Sequence, residues 1–133
     1  MALTTTISTK ELQRQASLVF EGKTLKVMLC SLTTTTYTAE STVANWQSVE
    51  LSGNGYVRFS TVIPVGAYDS VLGVYAIPDI TASFIATSGY SFNRVVLYID
   101  GQLYPHSVIT EDPQIILSTG QTQSYVIKLR QDD

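Results

Sequence analysis

Residues 80–87 carry the cleanest two-residue alternation in this chain, with Ile80, Ala82, Phe84 and Ala86 on one face and Thr81, Ser83, Ile85 and Thr87 on the other. A side-chain period of two belongs to a strand with one face in a core, and a helix does not present it. The same constraint runs along most of the chain, because strand-like segments recur between turn signals. Residues 23–31 place Leu25, Val27 and Leu29 on one side and Lys26, Met28 and Cys30 on the other. The second set is also fairly apolar, which predicts a strand covered on both faces. Residues 47–51 and 56–63 flank a double-glycine turn at 52–55 and read as a hairpin. A second turn region spans residues 68–73, and residues 75–78 resume the chain. After a break at Ser88 and Gly89, residues 94–99 form a nearly continuous apolar strand. Asp100-Gly101 then reads as a two-residue type I′ hairpin turn, since that type needs positive φ at both positions. Residues 103–109 return from it, and residues 114–117 and 123–130 close the fold around a turn at 118–121.

Sustained helical spacing appears once. Ser8 and Glu11 fit a capping box, Leu12, Ala16, Val19 and Phe20 share a face, and Gly22 supplies a left-handed residue past the end. That pattern predicts a helix over residues 9–21 behind an extended arm, residues 1–8. A Thr-rich loop at 33–41 leads to residues 43–46, which read as one short helical turn. Roughly eight strands with frequent turns predict an all-β fold, an antiparallel β-sandwich or jelly roll with one short N-terminal helix. The 133 residues suit a single domain with one core.

Composition narrows the partners. Charged residues make up 14% of the chain, well below the ~25% of an ordinary domain, and Thr, Ser and Gln take their place. The net charge is −3 with no basic cluster, which argues against nucleic acid as a partner. No apolar run approaches the ~20 residues that span a bilayer, and the first residues lack a signal-peptide pattern, so neither membrane insertion nor export is expected. Cys30 is the single cysteine and lies in an apolar run, so a buried thiol with no internal disulfide is expected.

An enzyme would have to be assembled from very little. His106 is the one histidine. A Ser/His/acid set can be written with Ser107 and Glu111 or Asp112, but adjacent residues on a strand face opposite ways. No G-x-S-x-G turn presents a nucleophile. Gly53 and Gly55 do not lead into a helix as a phosphate loop would, and no calcium-loop spacing is present. No catalytic residue, cofactor or metal site is expected, and the chain does not read as an enzyme. The aromatic residues remain. Tyr37, Trp46, Tyr68, Tyr90 and Tyr104, with His106, are the candidate binding or interface positions. Loops on a rigid sandwich carry recognition, and rings with polar tips suit both protein and sugar surfaces.

Five blocks follow one another over nearly the full length. Leu18-Val19-Phe20-Glu21-Gly22-Lys23-Thr24-Leu25-Lys26-Val27-Met28-Leu29 joins a helix end to a strand, and threonine-rich residues 31–36 follow. Gly53-Asn54-Gly55-Tyr56-Val57-Arg58 sets a Tyr-x-Arg behind a glycine turn. An Ala/Thr strand at 80–87 precedes an apolar strand at 95–101 that ends in an acid and a glycine, and Gly120-Gln121-Thr122 feeds the last strand. In this order the blocks resemble a family of small phage virion proteins, tail-fibre-like or minor structural proteins of cyanophage type. The resemblance implies a copy-repeated structural role in the virion, assembled in the host cytoplasm. The implied role is a tail-associated module of fibre, baseplate or neck, partnered by other virion proteins and by copies of itself. A capsid decoration (cement) protein is the alternative within that class. A carbohydrate-binding module that meets a host-surface glycan through the tyrosines is the alternative from another class. Sheet edges and the hydroxyl-rich residues 2–6 are the elements expected to join neighbours.

Overall fold

The computed structural model describes residues 20–33, 36–69, 71 and 74–129. The arm expected at 1–8, and the expected helix up to residue 19, lie outside the described residues. Eight strands follow in order: β1 (Thr24–Cys30), β2 (Phe59–Val62), β3 (Ala67–Asp69), β4 (Val74–Ala76), β5 (Ile80–Ile85), β6 (Tyr90–Ile99), β7 (Ser107–Leu117) and β8 (Thr122–Ile127). A short helix, α1 (Val43–Gln47), stands between β1 and β2. The strands form a four-stranded sheet in the order β2-β1-β6-β7 and two-stranded sheets β5-β8 and β3-β4. Every strand pairing is antiparallel, so the fold is all-β and sandwich-like.

The alternation in β5 translates directly into burial: Ile80, Ala82, Phe84 and Ala86 are buried, and Thr81, Ser83, Ile85 and Thr87 are exposed. The inward set meets Leu25, Val27 and Leu29 of β1 and Phe92, Val95, Leu97 and Ile99 of β6 in one apolar cluster. The other face of β1 is buried too. Met28 and Cys30 pack with Val96, Tyr98, Val43 and Trp46 in a second cluster, which α1 closes from outside. Thr42 caps that helix: its hydroxyl accepts from Asn45 N–H at 3.1 Å while the Asn45 side chain accepts from Thr42 N–H, a reciprocal capping box. Trp46 is fully buried and donates its indole N–H to the Thr38 carbonyl at 3.1 Å. Trp46 is therefore corrected from a candidate binding position to a core residue, because the one-turn helix turns Val43 and Trp46 inward to seal the sheet.

The residues around the glycine turn do not form a hairpin. Residues 49–51 and β2 both run antiparallel to β1 and lie end to end along the same edge: Ser31 N–H donates to the Val49 carbonyl at 3.1 Å, Leu51 N–H to the Leu29 carbonyl at 3.0 Å, and β2 continues from Val27↔Phe59 to Thr24↔Val62. Gly53, Asn54 and Gly55 have φ of 77°, 57° and 88°. Three left-handed residues in succession carry the chain out and back without reversing it, whereas a two-residue hairpin turn uses at most two. Thr87 N–H bonds the Asn54 carbonyl at 3.0 Å and the Asn54 side chain bonds the Gly89 carbonyl at 2.9 Å, which docks the excursion on the end of β5.

The same device recurs at the opposite edge. Residues 103–109 and 114–117 were expected as separate strands, but β7 pairs continuously with β6 except where the register shifts between Phe92 and Arg94. Residues 111–114 form the extra length at that step. Nor does the Asp100-Gly101 turn make a two-residue type I′ hairpin. Gly101 has φ of 90° and Asp100 is not left-handed, Gln102 N–H bonds the Ile99 carbonyl at 3.0 Å, and β7 starts only at Ser107, opposite Leu97. One positive φ at the third turn position is a type II pattern, and Pro105 lies in the longer loop that completes the connection.

Candidate functional site

The densest set of chemistry-bearing side chains sits where the two halves of β1's partner edge meet. Glu50 accepts hydrogen bonds from the Tyr56 hydroxyl and from the Arg58 guanidinium on two sides, with Arg58 Nε at 2.9 Å. The Tyr56 hydroxyl also accepts from Leu29 N–H at 3.1 Å. In the β1–β2 register that N–H would meet the carbonyl of residue 57, so a side-chain oxygen stands in for a missing ladder partner. Arg58 lies 6.0 Å from the centroid of the Tyr98 ring, and the Cys30 thiol donates to the Trp46 carbonyl at 3.5 Å.

These groups are committed to one another. Burial, and after it the charge of Glu50, pushes the Cys30 thiol up from about 9 to about 12, against a smaller opposing effect of Arg58. A thiol held that high is protonated at neutral pH and a poor nucleophile. Burial and the bond to Glu50 also raise the Tyr56 hydroxyl, and the bond to Glu50 raises Arg58. The arrangement works as a clamp across the looped-out residues. A smaller version ties the two sheets: the Tyr125 hydroxyl of β8 donates to Glu111 Oε1 of β7 at 2.9 Å.

The histidine set does not converge. His106 Nδ1 lies 3.4 Å from Ser107 Oγ, both near the surface. The expectation that they face opposite ways is corrected, because His106 precedes β7 and strand alternation does not govern it. Glu111, the acid of that set, is held by Tyr125. Among the described residues no group of three or more His, Cys, Asp or Glu is placed to hold a metal ion, and no helix is long and apolar enough to cross a membrane.

The other candidate positions divide into two kinds. Tyr37 is half-buried, edge-on to Trp46 at 5.6 Å between centroids. Tyr90 opens β6; it packs edge-on to Tyr56 and donates to the Ile85 carbonyl at 3.1 Å. Both serve the scaffold. Tyr68 on β3 and Tyr104 in the β6–β7 loop are 42% and 54% exposed. His106 is exposed beside Tyr104, with its ring edge-on to Phe20 at 5.7 Å.

The pairings Thr24↔Val62, Leu25↔Ile99 and Ile80↔Ile127 define one end of both sheets. Val62, Val65, Leu103 and Tyr104 are all more than half exposed there, and the β3–β4 hairpin that carries Tyr68 springs from the same end. Exposed apolar residues gathered at one place mark interaction surfaces, whereas scattered ones need no explanation. Comparison with protein-family models, curated proteins and solved structures found no match. The reading of this end accordingly rests on its chemistry. Val62, Val65 and Leu103 were not among the candidates from sequence. For Val65 and Leu103 the signal was an aliphatic residue where turn chemistry calls for a polar one: Val65 between Pro64 and Gly66, Leu103 between Gly101 and Pro105.

Proposed function

We propose that this chain is a structural subunit of a phage particle, a tail-associated module that works by assembling with copies of itself and with other virion proteins. The observation that carries this reading is the apolar end of the sandwich, where Val62, Val65, Tyr68, Leu103 and Tyr104 present a surface suited to protein contact. The block-by-block resemblance and the low charge of the chain support it. The Gly53–Arg58 block of that resemblance has an architectural part in this chain, since Tyr56 and Arg58 close the clamp on Glu50. In this reading the protein has no catalytic task. Quantitative mass spectrometry of particles banded in a density gradient tests the proposal. The chain is expected in multiple copies per particle and to stay bound through a salt wash; a chain found wholly in the soluble fraction would contradict it.

A glycan-binding reading is favoured by one observation, the exposure of Tyr68 and Tyr104. Aromatic faces of this kind stack on sugars as well as on proteins. A glycan array probed with the wild type and with a Tyr68→Ala, Tyr104→Ala double variant separates the two: binding lost in the variant supports sugar recognition, and silence of the wild type removes it.

A further inference from the structure

Among the described residues, the outer edge of β8 in the two-stranded sheet pairs with no other strand. Ala86 N–H bonds the Gln121 carbonyl at 3.0 Å, and the register runs on from Ile85↔Thr122 to Ile80↔Ile127. That bond sets the phase of the ladder. Gln123, Tyr125 and Ile127 turn their backbone groups toward β5, and Thr122, Ser124 and Val126 turn theirs to the outer edge. The same three residues are exposed, and the side-chain amide of Gln123 reaches the Ser124 carbonyl at 3.4 Å.

Edges of this kind invite pairing with another chain unless something blunts them. β7 is interrupted at residues 111–114, where Pro113 lacks an N–H and Glu111 and Asp112 add charge. β2 has four residues and is followed closely by Pro64. β5 starts just after Pro78 and Asp79, and its Ile85 carbonyl is taken by the Tyr90 hydroxyl. β8 runs for six residues with no charge, no proline and no register shift.

The edge is also complementary to itself. Antiparallel pairing centred on Ser124 sets Ser124 against Ser124 of a second copy and Thr122 against Val126, so that the outward groups fall into hydrogen-bonded pairs once the Gln123 amide releases the Ser124 carbonyl. No like charges meet in that arrangement, because Lys128 comes opposite Gly120. We infer that two copies of this chain join β8 to β8 about a two-fold axis at Ser124, making one continuous outer sheet in the order β5-β8-β8-β5. This seam deepens the assembly reading and rests on it for the identity of the partner as a second copy. A closed two-fold contact uses the same patch on both subunits and leaves the apolar end free for other virion proteins.

Analytical ultracentrifugation of the full chain over a wide concentration range, with amide hydrogen exchange, tests the seam. The wild type is expected to form pairs in which Thr122, Ser124 and Val126 amides exchange slowly. Ser124→Lys places like charges face to face and is expected to leave single chains with fast exchange at those three amides, while core amides such as Val27 stay protected. Ser124→Pro is a second variant, expected to leave single chains with fast exchange at the Thr122 and Val126 amides, because the lost N–H points away from β5. Pairs that persist in both variants would overturn the β8 seam and leave the assembly reading standing. Masses running beyond two copies with the three amides unprotected would also overturn it. Single chains in the wild type at every concentration would overturn both.

Discussion

The Tyr56 hydroxyl fills the place of a backbone carbonyl, accepting from Leu29 N–H while donating to Glu50. Asn93 does the equivalent at the other side of β1, just past the end of the β1–β6 ladder at Cys30↔Arg94: its side-chain amide accepts from Leu32 N–H and donates to the Leu32 carbonyl, both at 2.8 Å. An unpaired group in such a place is expensive, so removing one atom has a clear expected effect. Tyr56→Phe should lower stability by about 1–3 kcal/mol in urea unfolding and speed exchange at the Leu29 amide. An unchanged midpoint would mean that water satisfies Leu29 equally well. Glycines give a second residue-scale contrast. Gly101 has φ of 90° and open space where a Cβ would stand, so Gly101→Val is expected to cost somewhat more than about 1 kcal/mol from backbone strain. At Gly55, with φ of 88°, a Cβ would also meet Thr87 Oγ1 at 2.6 Å and Thr87 N at 2.7 Å. Gly55→Ala should therefore cost more than Gly101→Ala in the same denaturation assay.

Among elements, β5 and β1 were legible and the connections were not. The alternation in β5 and the two apolar faces of β1 are local patterns, and burial followed them residue by residue. Phe84 is 2% exposed, and Phe84→Ala is expected to cost ~3–5 kcal/mol by denaturant melt, against little effect for its exposed neighbour Ser83→Ala. The turn at Asp100-Gly101 was also visible, but its type depends on Ser107 pairing with Leu97, a contact that no local dipeptide encodes. Residues 52–55 looked like a hairpin turn because both flanks read as strands. Gln47 belongs to α1 instead, and residues 49–51 and β2 each pair with β1 and not with the other. Trp46 was a candidate as an aromatic side chain, and only the tertiary contact with Met28, Cys30 and Tyr98 shows it as a lid on the sheet. The β8 edge was hidden for a similar reason: whether a strand is an edge depends on sheet order, which the alternation of side chains does not reveal.

Burial favours the neutral form of four side chains in this fold. Cys30 is raised to about 12, and the hydroxyls of Tyr56, Tyr90 and Tyr125 are raised as well. A pKa raised in the folded state gives stability that is complete below the unfolded value and is lost as pH climbs toward the folded one. For Cys30 that window runs from about 9 to about 12. The urea midpoint is expected to hold through neutral pH and fall as pH rises above about 9, and Cys30→Ala should delay the fall until the tyrosines begin to ionise. A midpoint that stays flat across that range would contradict a buried thiol. At the same scale, the clamp at Glu50 and the bond between Tyr125 and Glu111 spend the chain's polar chemistry on closing its own sheets. Among the described residues, the uncharged β8 edge and the apolar end around Leu103 and Tyr104 are exposed. Immunogold electron microscopy of intact particles, with an antibody to this chain, tests that conclusion most directly. Gold at the tail, baseplate or neck is the result predicted for an assembling tail module. Gold confined to the head would move the subunit to a decoration role, and particles without label would contradict the virion assignment altogether.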